Sequence, residues 1–341
     1  MAHVSTIVRG LTGAAAVAAG ISVFLHSEPL TAQAAGRVRF QEHVVAQQIA
    51  GGYQVIATDI NKDGKSDLIG LGTSRTGDLS WYENPSWTPH AIASDLSQMI
   101  NAAARDLDGD GIPEIAVATG FTTSVTTSKG GVHLLTHAAN VNDPWTRKDI
   151  DELPTAHRIR WMNADGGKKV IMVNSPLIGP EATQPESHAK NQIVYYEAPD
   201  WKRQVMSEED GLMHGILPTA QAPFAAGKAD VLLGAGFSGV AQHEFKGGKW
   251  VRTQLVKGSP AEWPKGGSSD VAVGHHGKEP VFSTIEPWHG NQVAVYYQQG
   301  KAWTRQVLYE SITDGHALAM ADLAGDGRDA IVVGERGGQR A

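Results

Sequence analysis

The chain has 341 residues and 41% hydrophobic content, enough for a packed core and too much for general disorder. Its formal net charge of −7 argues against a nucleic-acid surface. The absence of cysteine excludes disulfides, thiolate zinc sites and a cysteine nucleophile. Reading from the start, Arg9 is the only formally charged side chain before Glu28, and residues 11–25 form an apolar, alanine-rich run. That run is shorter than the roughly 20 residues of a bilayer span. With the small-residue site Ala32-Gln33-Ala34 behind it, the stretch 1–35 reads as an export signal. The expectation is a secreted or periplasmic domain over residues 36–341, with no membrane span once the signal is removed.

The remainder is a repeat. Trp87, Trp145, Trp201, Trp250 and Trp303 recur at intervals of 58, 56, 49 and 53 residues, each opening a short β-rich run. A second β-rich run precedes each of them, at 79–83, 131–135, 193–197, 240–244 and 293–297. Buried-looking strands such as 67–71, 115–118 and 231–233 come earlier still. Four short strands at a period near 50 are the mark of a β-propeller blade. A stack of β-sandwiches fits less well, because each would need about 100 residues. The predicted fold is therefore an all-β propeller, with five full blades and part of a sixth. The last residues, 337–341, fall where a third strand is expected, so the ring is predicted to be incomplete and open at its edges.

Two turns carry oxygen ligands at alternate positions. Asp59, Asn61, Asp63 and Asp67 form the first set, with the Lys65 carbonyl as a further donor. Asp106, Asp108, Asp110 and Glu114 form the second, with the Ile112 carbonyl. Calcium takes six to eight such oxygens. An EF-hand would need a glutamate at the twelfth position, where Gly70 and Val117 stand instead. The two turns are predicted to be structural Ca2+ sites between strands. A third, beginning at Asp322, has alanine at its third and ninth positions and is expected to be an empty turn.

These motifs resemble the FG-GAP or VCBS repeat family, whose members form integrin-α-like propellers, typically of seven blades. Segments 155–161, 211–216, 284–291 and 314–319 are similar to the propeller part of aldos-2-ulose dehydratases. That resemblance implies a carbon–oxygen lyase that eliminates water from keto-sugars, including anhydrofructose. Fungal members of that family carry a C-terminal cupin with a metal site, and any step belonging to it is expected to be missing here.

Strand direction sorts the histidines. His157, His214 and His316 each begin a first strand, so they converge on one end of the central channel. Tyr53 and Ile100 hold the equivalent positions in the first two units. His289 lies between a second and a third strand and shares that end. An imidazole is suited to proton transfer near neutral pH and equally to holding a transition metal. The catalytic candidates are His157, His214, His289, His316, Arg158 and Glu286, with Arg160 as a further cation for an enolate-like intermediate. Whether the histidines form a proton relay or hold a second divalent metal stays open at this stage. Trp161 and Trp288 are candidate sugar platforms, and the loop 175–191 is a candidate lid. His43, His90, His133, His137 and His243 default to structural roles. The alternative function is a non-catalytic propeller that binds a glycan or a protein. The expected partner is a carbohydrate or another small polar ligand, and the oligomeric state is not readable.

Overall fold

The computed structural model describes residues 38–336 except Gln48 and Thr76, together with the backbone of Arg9–Gly10 and Gln33–Ala34. The predicted export signal and the residues from 337 onward lie outside the described residues. No described helix is long and apolar enough to cross a membrane.

The chain forms an all-β propeller built of four-stranded antiparallel sheets. Sheet one runs Gly52–Thr58, Asp67–Gly72, Gly77–Glu83 and Thr88–Leu96. Sheet two runs Asn101–Arg105, Glu114–Thr119, Gly131–Thr136 and Thr146–Glu152. Sheet three runs Ala156–Ala164, Lys169–Pro176, Lys190–Glu197 and Gln204–Asp210. Sheet four runs Met213–Thr219, Val231–Gly236, Gly239–Lys246 and Lys249–Val256. Sheet five runs Asp270–His276, Glu279–Glu286, Gln292–Gln299 and Ala302–Tyr309. The sixth sheet has two strands among the described residues, Gly315–Ala321 and Ala330–Glu335.

Alternation along each second strand builds the core. In Glu114–Thr119, Ile115 and Val117 point into an apolar layer shared with sheet one, while Ala116 and Ala118 point into the layer shared with sheet three. Successive side chains on a strand face opposite ways, so a strand buried on both faces reads as a continuous apolar run. Further layers join sheets three and four through Ile171, Val173 and Leu232, and sheets four and five through Leu233, Val271 and Phe282. Each large side chain withdrawn from water contributes about 1.5–3 kcal/mol.

The tryptophans pack within or beside these layers. Trp145 is buried with residues of sheets one and two, and Trp201 lies against the layer of sheets two and three. Trp87, Trp145 and Trp201 do not open strands as predicted: each lies ahead of its strand, and Trp87 and Trp201 have left-handed φ, +56° and +52°.

First strands are tied side by side by side-chain bonds. The Gln54 carboxamide of sheet one receives the Ala102 N–H at 2.7 Å, and Asn101 Oδ1 of sheet two receives the Ile159 N–H at 3.0 Å. Arg158 Nε donates to the His214 carbonyl at 3.0 Å. The sixth sheet reaches back to the first through Tyr53 and His316, whose hydroxyl and Nε2 are 2.5 Å apart. Two distant segments thus meet at the channel.

Candidate functional site

One backbone device places the site residues. The first strands of sheets one, three, four and six each break register at one residue, and the residue displaced is Tyr53, His157, His214 or His316. The first strands of sheets two and five pair without a bulge and carry no site histidine. A bulge bends its strand and re-aims a side chain. Here it turns four side chains into the channel from equivalent positions. The residue after His214 must be glycine, since a Cβ on Gly215 would lie 2.5 Å from Asp270 Oδ1.

His289 arrives from the turn after Glu279–Glu286, with φ of +48°. Its Nε2 stands 3.2 Å from His214 Nε2 and 3.1 Å from His316 Nδ1. Ligand atoms of His214, His289 and His316 all lie within 4.8 Å of one another. The other nitrogens decide the protons. His214 Nδ1 is 3.0 Å from the Ser269 carbonyl, which can only accept. His289 Nδ1 is 3.0 Å from Asp314 Oδ1, and Arg336 in turn holds Asp314 at 2.8 Å. His214 Nδ1 therefore carries hydrogen and its Nε2 a lone pair toward His289, whose own Nδ1 lies between the Asp314 carboxylate and Arg336 Nη2 at 3.3 Å. Imidazoles sharing one ion at about 2.0–2.1 Å stand roughly 3.0–3.4 Å apart. The three histidines fit a divalent transition ion, with Ser269 and Asp314 orienting two of the rings as outer partners.

The surroundings keep these rings uncharged. Burial, with Arg158 beside it, holds His157 and His214 well below the ordinary imidazole value. Burial likewise lowers His289 to about 4 and His316 to about 2, again with arginine charge nearby. A neutral imidazole is the form that ligates a metal or accepts a proton. His157 packs between Phe121 and His214, at ring separations of 5.1 and 4.8 Å, and its buried Nδ1 has no hydrogen-bond partner.

Glu286 is not brought to this cluster. Its carboxylate is fully buried and accepts from Tyr296 at 2.6 Å, Thr284 at 2.7 Å and Arg305 at 2.7 Å. Arg160 is occupied by Asn101 Oδ1 and the Ile159 carbonyl. Trp161 is buried, donates to the Ala103 carbonyl and packs edge-on to Trp201, which leaves no open ring face there for a sugar. Trp288 does adjoin the cluster, 4.7 Å from the His289 ring. The loop 175–191 packs down as channel wall: Leu177, Ile178 and Ala182 bury against Leu212 and Phe237, with Trp263 and Trp288 beside them. The bulges and Asp314 were missed by sequence reasoning. The one signal for Asp314 is an aspartate two residues before His316 at a turn that needs left-handed φ, here +52°.

The acidic turns sit at the other end of the first strands. Asp106, Asp108 and Glu114 bring ligand oxygens within 4.8 Å of one another. In the first turn, Asp59 receives the N–H groups of Asp63 and Gly64, and the Lys65 ammonium binds Asp63 at 2.8 Å. Both Asp67 oxygens are taken by the N–H groups of Ile60 and Asn84. The turn at Asp322 keeps the same N–H bonds from Asp326 and Gly327.

Residues 129–299 match the family described as aldos-2-ulose dehydratase, β-propeller domain, and residues 35–117 match the FG-GAP-like repeat. An aldos-2-ulose dehydratase of Phanerodontia chrysosporium is 26% identical over 92% of this chain, which spans 39% of that protein's length. Among solved structures, Saccharomyces cerevisiae Sqt1 is similar in fold, with TM-score 0.50, 10% identity and coverage of 82% of this chain and 74% of that one. A nidogen/laminin complex gives TM-score 0.44 at 12% identity, over 74% of this chain and 81% of that one.

Proposed function

Because the chain belongs to the aldos-2-ulose dehydratase β-propeller family, we propose that it is an exported lyase that removes water from a keto-sugar at the histidine cluster. The observation that carries this reading is the convergence of three neutral imidazoles on one point, with His157 and Arg158 beside them. His214, His289 and His316 would hold a divalent transition ion. Such an ion supplies Lewis-acid polarisation of a carbonyl.

The chain's own residues provide the rest. His157, neutral and with a free Nδ1, takes the proton α to the sugar carbonyl. The Arg158 guanidinium, buried at the same end, faces the negative charge that then develops on oxygen. The same imidazolium returns its proton to the β-hydroxyl, which leaves as water. One C–H and one C–O bond break, one C=C bond forms, and no electrons are exchanged with a cofactor. Trp288 and Phe237 form an apolar wall beside His289 that a sugar face can lie against.

The test is ultraviolet detection of a conjugated enone when the metal-loaded chain meets 1,5-anhydrofructose or related keto-sugars. His157→Asn should abolish the signal while metal content stays native. His214→Asn should lower both. No enone from any keto-sugar with a folded, loaded chain rejects the reading. The acidic turns are proposed as structural cation sites, as their oxygen patterns suggest.

A further inference from the structure

The channel holds two cations that the fold leaves without an anion. Arg158 and Arg160 follow the bulge at His157 on the first strand of sheet three, two residues apart and so on one side of it. Arg158 is 7% exposed and spends only Nε on the protein, donating to the His214 carbonyl at 3.0 Å. Its guanidinium carbon lies 5.9 Å from the centre of the Tyr53 ring, so the side chain reaches across the channel toward sheet one. Arg160 spends only Nη1, on Asn101 Oδ1 and the Ile159 carbonyl. All of these acceptors are neutral.

The rim arginines differ. Arg203, Arg252 and Arg305 each hold a carboxylate at 2.6–3.0 Å. Among the described residues, neither Arg158 nor Arg160 forms an ion pair, and Nη1 and Nη2 of Arg158 and Nε and Nη2 of Arg160 meet no acceptor. The charges of both arginines reach Asp270 on the first strand of sheet five, yet its Oδ1 accepts from the Val271 N–H at 2.9 Å instead. One carboxylate against two guanidiniums leaves this part of the channel cationic. The two cations also feel each other: burial and the charge of Arg158 pull Arg160 down to about 10. A charge withdrawn from water is costly unless it is paired and hydrogen-bonded. There is space for a partner. The residues after the bulges on sheets four and six are Gly215 and Ala317, and Ala317 and Ala319 are exposed. A guanidinium fork matches the two oxygens of a carboxylate.

We propose that Arg158 and Arg160 together bind a carboxylate carried by the sugar, so that the chain acts on an acidic keto-sugar. The reaction rests on the lyase reading above; the binding does not.

The metal-loaded full chain is titrated calorimetrically with glucuronate and with glucose, which lacks the carboxylate. Native protein should bind glucuronate about tenfold more tightly or better, and Arg160→Gln should bring the two affinities within about twofold. The metal is common to both proteins, so the change belongs to the arginine. Asp270→Asn keeps an acceptor for the Val271 N–H but removes the channel's own carboxylate, and should tighten glucuronate while leaving glucose unchanged. Circular dichroism checks that each variant is folded. Equal affinities in native protein, or a preference that survives Arg160→Gln, overturns the proposal. So does inorganic phosphate bound more tightly than glucuronate, which would make the site one for a free anion. Absence of enone from every keto-sugar, with the glucuronate preference intact, rejects the lyase reading and leaves the carboxylate site standing.

Discussion

The two ends of the first strands handle charge in opposite ways. At one end His157, His214, His289 and His316 are buried or half-buried and kept neutral. At the other, Asp106, Asp108 and Asp110 are exposed carboxylates. The same first strands run between the two ends, so the contrast comes from what each end excludes. A buried end cannot hold several bare anions, because each would carry a desolvation penalty of several kcal/mol. It can hold neutral imidazoles, which leaves room for chemistry that needs a dry site. The exposed end tolerates anions in water and suits cations that brace turns.

The largest expected effect falls at the buried end. His157→Asn should lower keto-sugar turnover by about 10²–10⁴-fold, the usual contribution of an acid–base group, with little change in stability. Turnover within a few-fold of native would erase the functional contrast between the ends. Between the ends lies a rim of ion pairs that belongs to neither. Glu209, 1% exposed, accepts from His243 at 2.7 Å and from Arg252 at 3.0 Å. Glu209→Ala leaves His243 and Arg252 without their buried acceptor and should cost about 3–5 kcal/mol in denaturant titrations. A loss below about 1 kcal/mol would show that the rim does not hold sheets three and four together.

At the exposed end, removing cations should cost less. With free ion at a hundredfold its dissociation constant, chelation should cost about 2.7 kcal/mol, seen as a lower Tm. Asp106→Asn should shrink that response without affecting enone formation. A chelator response of the same size in the variant would place the stabilising ion elsewhere.

Acid should act on the rim. Burial opposes it, but hydrogen bonds from His243 and Ser207 and the charge of Arg252 hold Glu209 below the ordinary glutamate value. Against burial, hydrogen bonds from Arg203 and Tyr196 likewise hold Asp151 below the ordinary aspartate value. Folded values below unfolded ones mean stability present above about pH 4.5 and lost as pH falls through the folded values. Glu209→Gln should flatten that acid slope in equilibrium unfolding, and an unchanged slope would assign it to other carboxylates. The smallest effect belongs to the exposed pair Arg147–Asp95: Arg147→Ala should cost about 0.2–1 kcal/mol and the loss should fade in high salt.

The rim shows what a sequence reader can miss in plain sight. Three tryptophans are followed two residues later by an arginine that reaches a carboxylate on the preceding sheet: Arg147 to Asp95, Arg203 to Asp151 and Arg252 to Glu209. Trp303 is also followed by Arg305, which binds Glu286 of its own sheet instead. Nothing in the local pattern separates that case from the other three. Glu286 accordingly looked like a catalytic carboxylate beside His289, when its oxygens were committed to Tyr296, Thr284 and Arg305.

The repeat, the all-β architecture, the register of His157, His214 and His316 and the oxygen pattern of the turns follow from the sequence alone. They are local quantities: strand alternation, turn residues and a fixed period repeat wherever the same backbone geometry repeats. Tertiary structure decided which of those residues meet. It set the bulges that turn four side chains inward, joined Tyr53 to His316 across 263 positions of chain, and supplied Asp314 and Ser269 to orient two imidazoles. Those outcomes depend on how sheets pack around a common axis.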